Sequence, residues 1–397
     1  MSYSAIDKKT NYKRIGDYIQ LVDIRNMGLK VQNLLGLSIS KKFIPSVANI
    51  IGTDMENYKI IRKNQFACST MQVRRDKKMP VALLKELNKA IISQAYPVFE
   101  VVDSSILDPE YLMMWFTREE FDREACFHAV GGVRGSLEWE DFCDMRLPVP
   151  SIEKQREIVK EYNIIQDRTQ LNNQLIQKLE ESAKSIYNKL FVDDIDLENL
   201  PFGWNLRKLE DFCEIKGGKR LPKGYELNEV KEGRPYIKVV DMGKDKFITL
   251  NEDFQYVSNE IQKTISRYIV NTGDIIISIV GTIGLVNIID DSLNNANLTE
   301  NCYRLTRFRG LNSEYIYYYL MSLRGKREIE LRTVGGVQSK LPMYNVQSIP
   351  MLLPESKLLS TFEKQMELLN KSQNAFMKEN QRLNQLKNLL LSKLTIE

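Results

Sequence analysis

Histidine is almost missing from this chain: His128 stands alone among 397 residues. A Ser-His or Cys-His nucleophile pair would have to be built around that one imidazole, and no neighbouring pattern supports one. Two-histidine metal sites are excluded. Cysteine is scarce as well. Cys68, Cys126, Cys143, Cys213 and Cys302 are odd in number, widely spaced and free of any CxxC pair. That argues against a disulfide framework or a zinc knuckle and fits a reducing, cytoplasmic setting. No GxxxxGK[ST] loop, no GxGxxG after a strand and no Asn-Pro-Pro-Tyr or Asp-Pro-Pro-Tyr motif occurs. The signatures of a P-loop ATPase, a dinucleotide site and an amino-methyl transferase are therefore lacking. No run approaches the roughly 18 apolar residues of a membrane helix, and no charged-then-apolar leader opens the chain. The net charge is only +4, so contact with a polyanion must come from local clusters of cations.

What the chain does have is repetition. Leu107-Asp-Pro-Glu-Tyr-Leu-Met-Met-Trp realigns with Leu311-Asn-Ser-Glu-Tyr-Ile-Tyr-Tyr-Tyr about 200 residues further on. At the same offset Val130-Gly-Gly-Val-Arg-Gly-Ser-Leu falls on Val334-Gly-Gly-Val-Gln-Ser-Lys-Leu, and Pro150 falls on Pro354. Arg14-Ile-Gly-Asp-Tyr matches Lys208-Leu-Glu-Asp-Phe at a slightly shorter offset, so insertions separate the halves. Two long repeats make a pseudo-symmetric molecule suited to a two-part target whose halves differ.

Each repeat reads as a mixed globular part followed by a long helix: 1–150 and 151–200, then 201–353 and 354–397. Ser151 can cap a helix, with Glu153 and Glu157 in its first turns. From Ser151 to about Phe191, and again from Glu355 to the carboxyl end, glycine and proline are absent. Each stretch would be about 60 Å long if wholly helical. Steps of seven give Ile158, Ile165, Asn172, Leu179 and Ile186 in the first, and Phe362, Leu369, Phe376, Leu383 and Leu390 in the second. A sustained seven-residue stripe predicts a coiled coil, and pseudo-two-fold symmetry favours antiparallel helices. The alternative is two amphipathic helices, each packed on its own globular core. Asn172 either sets the register or faces solvent.

Within the globular parts, strands are predicted at Pro97-Val-Phe-Glu-Val-Val, Tyr236-Ile-Lys-Val-Val, Ile275-Ile-Ile-Ser-Ile-Val and Tyr303-Arg-Leu-Thr-Arg-Phe. Helices start at the capping residues Asp108 and Asn312. Strands and helices do not strictly alternate, so the expected class is α+β. Asp211, Glu229 and Lys231 loosely resemble a nuclease metal set. However, Asp17 holds the place of Asp211 in the first repeat without a matching Glu-x-Lys, which makes Asp211 a turn residue.

Cations cluster in matched places of the two repeats. Lys59, Arg62, Lys63, Arg74, Arg75, Lys77 and Lys78 lie close together against one acid, Asp76, with Ser69, Thr70 and Gln72 interleaved. These side chains can hydrogen-bond base edges or phosphates. In the second repeat Lys216-Gly-Gly-Lys-Arg-Leu-Pro-Lys-Gly-Tyr joins a glycine turn to Lys219, Arg220, Lys223 and Tyr225, and Arg304, Arg307 and Arg309 follow on a later strand and turn. A solvated charged face is the bland explanation of any one cluster. Two clusters on two repeated domains that lack catalytic motifs favour nucleic-acid recognition. The glycine turns before Arg134 and Gln338 allow close backbone approach to a partner, or serve as hinges.

Taken together, Leu147-Pro-Val-Pro-Ser-Ile-Glu-Lys-Gln-Arg-Glu-Ile-Val, Gly217-Gly-Lys-Arg-Leu-Pro-Lys-Gly-Tyr, Pro235-Tyr-Ile-Lys-Val-Val-Asp-Met, Gly273-Asp-Ile-Ile-Ile-Ser-Ile-Val-Gly-Thr-Ile-Gly and Asn297-Leu-Thr-Glu-Asn resemble the DNA-specificity subunits of type I restriction-modification systems. The likeness covers essentially the whole chain. Phe66-Ala-Cys-Ser-Thr-Met-Gln stands where that family has a Gly-x-x-Gly form, and Pro354-Glu-Ser-Lys-Leu-Leu-Ser-Thr-Phe-Glu-Lys-Gln departs from its Glu-x-Gln-x-x-Ile-Val helix start. The resemblance implies two target recognition domains, each reading half of a bipartite double-stranded DNA site, held apart by a helical rod. It also implies two methyltransferase subunits and motor-nuclease subunits as partners, with S-adenosylmethionine, ATP and magnesium bound by those partners. This chain itself would then be non-catalytic and carry no cofactor or metal. Lys238 and Thr282 lie on the matching segments, Lys340 lies in the repeated stretch that starts at Val334, and all three join the candidate DNA contacts. A stand-alone tandem nucleic-acid-binding protein is the alternative.

Overall fold

The computed structural model describes residues 12–46, 53–132, 135–229, 231–336 and 339–394. Residues Met1–Asn172 with Lys378–Glu397 cluster as one compact unit, and Asn173–Met377 as a second. Both long helices, Ile152–Phe191 and Ser356–Lys393, are divided between the units. This partition differs from the sequence segmentation, in which each helix stood as a separate block.

In the first unit a four-stranded sheet runs in the order Ile19–Val22, Val98–Val101, Gln65–Cys68, Val81–Leu83, with all neighbours antiparallel. A second sheet is built around Leu34–Leu37 and Lys89–Ile92, which pair in parallel, with Phe43–Pro45 and Lys59–Arg62 on the two sides. Helices Pro109–Phe116 and Glu119–His128 cover the first sheet over an aromatic core. Phe66 stacks on Phe99 at 4.9 Å, and Phe116 sits against Phe121 at 4.9 Å. Burying each such ring contributes about 2–3 kcal/mol, with roughly another 1 kcal/mol from the ring pairing.

The second unit repeats this plan. Glu214–Gly217, Cys302–Thr306, Ile275–Ser278 and Val286–Ile289 are neighbours in the same order, with Phe247–Ile248 added at the edge. Arg234–Ile237 pairs in parallel with Asn297–Leu298 and antiparallel with Gln255–Val257. The repeat extends to single hydrogen bonds. Tyr111 Oη donates to Pro148 O at 3.2 Å, and Tyr315 Oη to Leu352 O at 2.8 Å. Asp108 caps one helix through Glu110 N at 2.8 Å, and Asn312 caps its counterpart through Tyr315 N at 2.8 Å. The two heads are therefore one mixed helix-and-strand topology used twice. The four expected strands all end earlier than predicted, at Val101, Ile237, Ser278 and Thr306; the second stops because Asp241 Oδ2 accepts from Lys238 N at 2.7 Å and turns the chain.

The long helices meet within each unit. In the first, Arg168 is paired with Glu379, and Asn172 Nδ2 donates to Asn380 Oδ1 at 2.9 Å. Towards the other end of this stretch, Ile158 and Val159 share a core with Leu394. In the second unit Gln373 Nε2 donates to Ile176 O at 3.3 Å, while Tyr187 and Phe191 pack on Phe362. Both sets of contacts put residues of rising number on one helix against falling number on the other, so the helices run antiparallel in each unit. Ile158 and Phe362 are buried; Ile165, Leu179, Ile186, Leu369, Phe376, Leu383 and Leu390 are half-buried. Asn172 is buried rather than facing solvent. Ile158 and Val159 also pack into the core of the first unit, and Phe362 and Met366 into that of the second.

Candidate nucleic-acid interface

Strand direction gathers the site in the second head. Glu214–Gly217 ends, Cys302–Thr306 begins and Ile275–Ser278 ends at one edge of the sheet, since Gly217 pairs with Tyr303 and Ser278 with Cys302. The connections 218–225, 279–285 and 299–301 all emerge there. A β-carbon on Gly218 would lie 1.9 Å from Thr299 O, so only glycine lets the first connection lie against the third. Lys219 N then donates to Leu298 O at 2.8 Å, and Tyr236 Oη donates to Lys219 O at 2.7 Å. Lys340 joins through a bridge to Val280, with Leu341 N donating to Ile279 O at 3.0 Å.

This arrangement leaves Lys219, Arg220, Lys223, Tyr225, Thr282 and Lys340 exposed. Lys219 Nζ lies 5.8 Å from the Tyr268 ring, and Lys238 Nζ donates to Gln255 Oε1 at 3.0 Å. Arg220 pairs with Glu300. Burial alone would raise the Glu300 carboxyl, but the hydrogen bonds from Arg220, its own backbone N–H and Thr299, with the charge of Arg220, together hold the group below its ordinary value. Glu300 lay inside a quoted motif yet received no role in the sequence reading; its charge opposite a cationic turn was the available signal. Ser278 was missed too. Its Oγ donates to Thr282 O at 2.6 Å and accepts from Leu285 N at 2.9 Å, bracing the connection from within.

The first head gathers the corresponding connections at the corresponding edge, because Cys68 N donates to Pro97 O where Ile279 N donates to Asn301 O. The residues 69–80 occupy the place of 279–285. Ser69, Thr70 and Gln72 are half-buried, and Arg74, Arg75, Lys77 and Lys78 are exposed. Arg75 is paired with Asp76. Gln72 and Lys77 adopt left-handed backbone at φ 65° and 51° on either side of the single turn Val73–Asp76. Arg74 Nη1 donates to Gly131 O at 3.2 Å, Val73 N to Gly135 O at 3.0 Å and Leu137 N to Thr70 O at 2.9 Å. Arg134 and Gln338 lie outside the described residues.

Two parts of the sequence reading are corrected here. The basic clusters do not occupy equivalent places: 69–78 follows a central strand, whereas 216–225 begins on the end of an outer one and continues past it. Arg307 and Arg309 stand at the far end of the sheet. There Arg307 pairs with Glu214, and Arg309 donates to Asp211 O at 2.8 Å and Glu210 O at 2.9 Å. They brace the fold. Asp211 itself accepts from Lys208 N at 3.2 Å, as a turn residue does. Among the described residues no His, Cys, Asp and Glu cluster is gathered for a metal ion, and no helix is long and apolar enough to cross a membrane.

The chain matches the family model of the type I restriction modification DNA specificity domain twice, over residues 23–181 and 201–387. A type I restriction enzyme specificity subunit from Methanocaldococcus jannaschii is 22% identical over 54% of this chain and 52% of its own length. A putative one from the same organism is 23% identical over 62% of this chain, with 56% of its own length matched. The matched stretch thus spans little more than half of those two relatives. The Haemophilus influenzae HindI specificity subunit is 20% identical over 78% of this chain and 81% of its own length. The solved S subunit of the type I restriction-modification system from M. genitalium shares the fold, with a TM-score of 0.55 at 16% identity over 96% of this chain and 95% of that one. With two copies of the domain covering most of its length, the chain belongs to the type I restriction-modification DNA specificity family.

Proposed function

We propose that this chain selects the DNA sequence on which a type I restriction-modification assembly acts. One observation carries the reading: two heads of one topology each present exposed cations on connections at the same edge of the sheet. Each head reads one half-site. Lysines and arginines meet phosphates, and the polar side chains among them meet base edges. Because Lys78 on one connection and Lys219 on another stand at different places in the shared fold, the two half-sites differ in sequence. The antiparallel helices act as a rod that sets the gap between half-sites and docks two adenine methyltransferase subunits and the motor-nuclease subunits. S-adenosylmethionine, ATP and magnesium belong to those partners, and this chain contributes no catalytic residue.

Reconstitution tests this directly. Purified chain alone is expected neither to methylate nor to cleave DNA. Adding its modification subunit and S-adenosylmethionine is expected to give adenine methylation at one bipartite sequence. Methylation or cleavage by the isolated chain would falsify the proposal. A native pull-down without a methyltransferase would favour a stand-alone DNA-binding protein instead.

A further inference from the structure

The two connections at the candidate interface are held by different means. In the second head 279–285 is short and braced internally by Ser278. In the first head Ala67 pairs with Val98 as Ser278 pairs with Cys302, and alanine has no hydroxyl to offer. The longer 69–80 connection also has only one turn of helix of its own. A loop of that kind pays ordering entropy unless something outside fixes it.

Bonds to Gly131, Gly135 and Leu137 hold the first part of the loop, and a buried ion pair holds its carboxyl end. Asp122 Oδ1 accepts from Met79 N at 3.0 Å and from Lys41 Nζ at 2.8 Å. Lys41 Nζ also donates to Phe116 O. The two side chains are 7% and 10% exposed. Lys41 reaches inward from the hairpin turn between Leu34–Leu37 and Phe43–Pro45, with left-handed backbone at φ 60°. The hairpin, the helix Glu119–His128 and the end of the cationic loop thus meet at one carboxylate. In the second head the repeat position of Asp122 is Lys326, which is exposed. Burial lowers the pKa of Lys41, and the charge of Asp122 opposes that shift. An apolar pair of similar volume often replaces a buried ion pair at no loss of stability, but here it would leave Met79 N without its acceptor. A buried pair that also fixes a loop backbone therefore points to geometry as its purpose.

We infer that Lys41 and Asp122 are positioning residues for the first half-site, holding the carboxyl end of the 69–80 loop so that Gln72, Lys77 and Lys78 present one arrangement to DNA. This rests on the reading above that the loop meets DNA. The hold acts on the first head alone, so the second half-site is an internal control.

The test uses the full chain with its modification subunits. Once the target is mapped, methylation is measured on it and on duplexes with one base pair changed in either half-site. The Lys41→Met/Asp122→Leu double variant is expected to stay folded but to melt below the parent, because Met79 N loses its acceptor. Its discrimination at the first half-site is expected to fall by about tenfold, as for loss of one well-placed base contact, with the second half-site unchanged. Asp122→Asn keeps the volume and an acceptor for Met79 N, and is expected to show the same one-sided loss to a smaller extent, whether or not the double variant folds well. Unchanged discrimination at both half-sites, or equal loss at both, in a folded variant overturns the inference. Lys77→Gln/Lys78→Gln separates the two levels. If that change leaves the first half-site untouched, the loop is not the DNA contact and both readings fall. If it weakens the first half-site while the clamp variants are silent, only the clamp is wrong.

Discussion

At the residue scale the fold depends on a few side chains with no spare room or spare partners. Gly218→Ala would drive a methyl group into Thr299 O, so the second head is expected to lose about 3 kcal/mol or more, read as a lower thermal midpoint. Gln155 is fully buried; it donates to Ile106 O and Pro150 O, each at 2.8 Å, and accepts from Asp108 N at 2.8 Å. Gln155→Leu strands those groups and is expected to cost about 2–4 kcal/mol in a urea titration. The second repeat places Leu359 at that position, which explains why its helix starts on a different motif. Burial pushes the Cys213 and Cys302 thiols up to about 12, and the Cys68 thiol up as well. A thiolate is the reactive form. An alkylating reagent at pH 8 is therefore expected to reach at most the half-buried Cys126 in the native protein, and all five cysteines after unfolding. Fast native labelling of more than one would contradict these placements. Little of this was legible beforehand. Gln155 stood inside a recognised motif, but its three partners come together only in three dimensions. Asp122 and Lys41 lie far apart in sequence and carry no motif at all.

At the element scale, periodicity and punctuation carried most of the information. The breaker-free stretches are helices at Ile152–Phe191 and Ser356–Lys393, and the capping residues Asp108 and Asn312 begin helices where expected. Ile275–Ser278 forms a strand inside its predicted run, and Cys302–Thr306 starts one residue before its run and ends two residues short. The pairing of strands was not legible, since it depends on contacts between distant residues, and with it went the knowledge that Arg307 and Arg309 stand at the wrong end of their sheet. Where the helices meet, the buried Asn172 outweighs the exposed pair of Arg168 and Glu379. Asn380→Ala removes the Oδ1 that accepts from the buried Asn172 and is expected to cost about 1–3 kcal/mol, whereas Glu379→Gln, which keeps an acceptor for Asn172, barely moves the denaturation midpoint. The Asn172→Leu/Asn380→Leu pair is expected to recover the loss. Equal effects of Asn380→Ala and Glu379→Gln would show that the polar seam is not buried as described.

At the scale of the whole molecule the account rests on duplication. One topology occurs twice, and each copy has its own way of bracing the connections that carry its cations. The sequence disclosed the duplication through its aligned repeats. It could not disclose the bracing, because Ser278 and Asp122 solve the same problem from unrelated positions. If the helices set the gap, adding or removing seven residues in both is expected to change the spacing between half-sites and leave their sequences intact, as read from methylated adenines across a genome. The most direct measurement is the same mapping for a chain whose residues 201–353 are exchanged for those of another family member. The account predicts that one half of the recognised sequence changes and the other half stays. Change in both halves, or in neither, would contradict it.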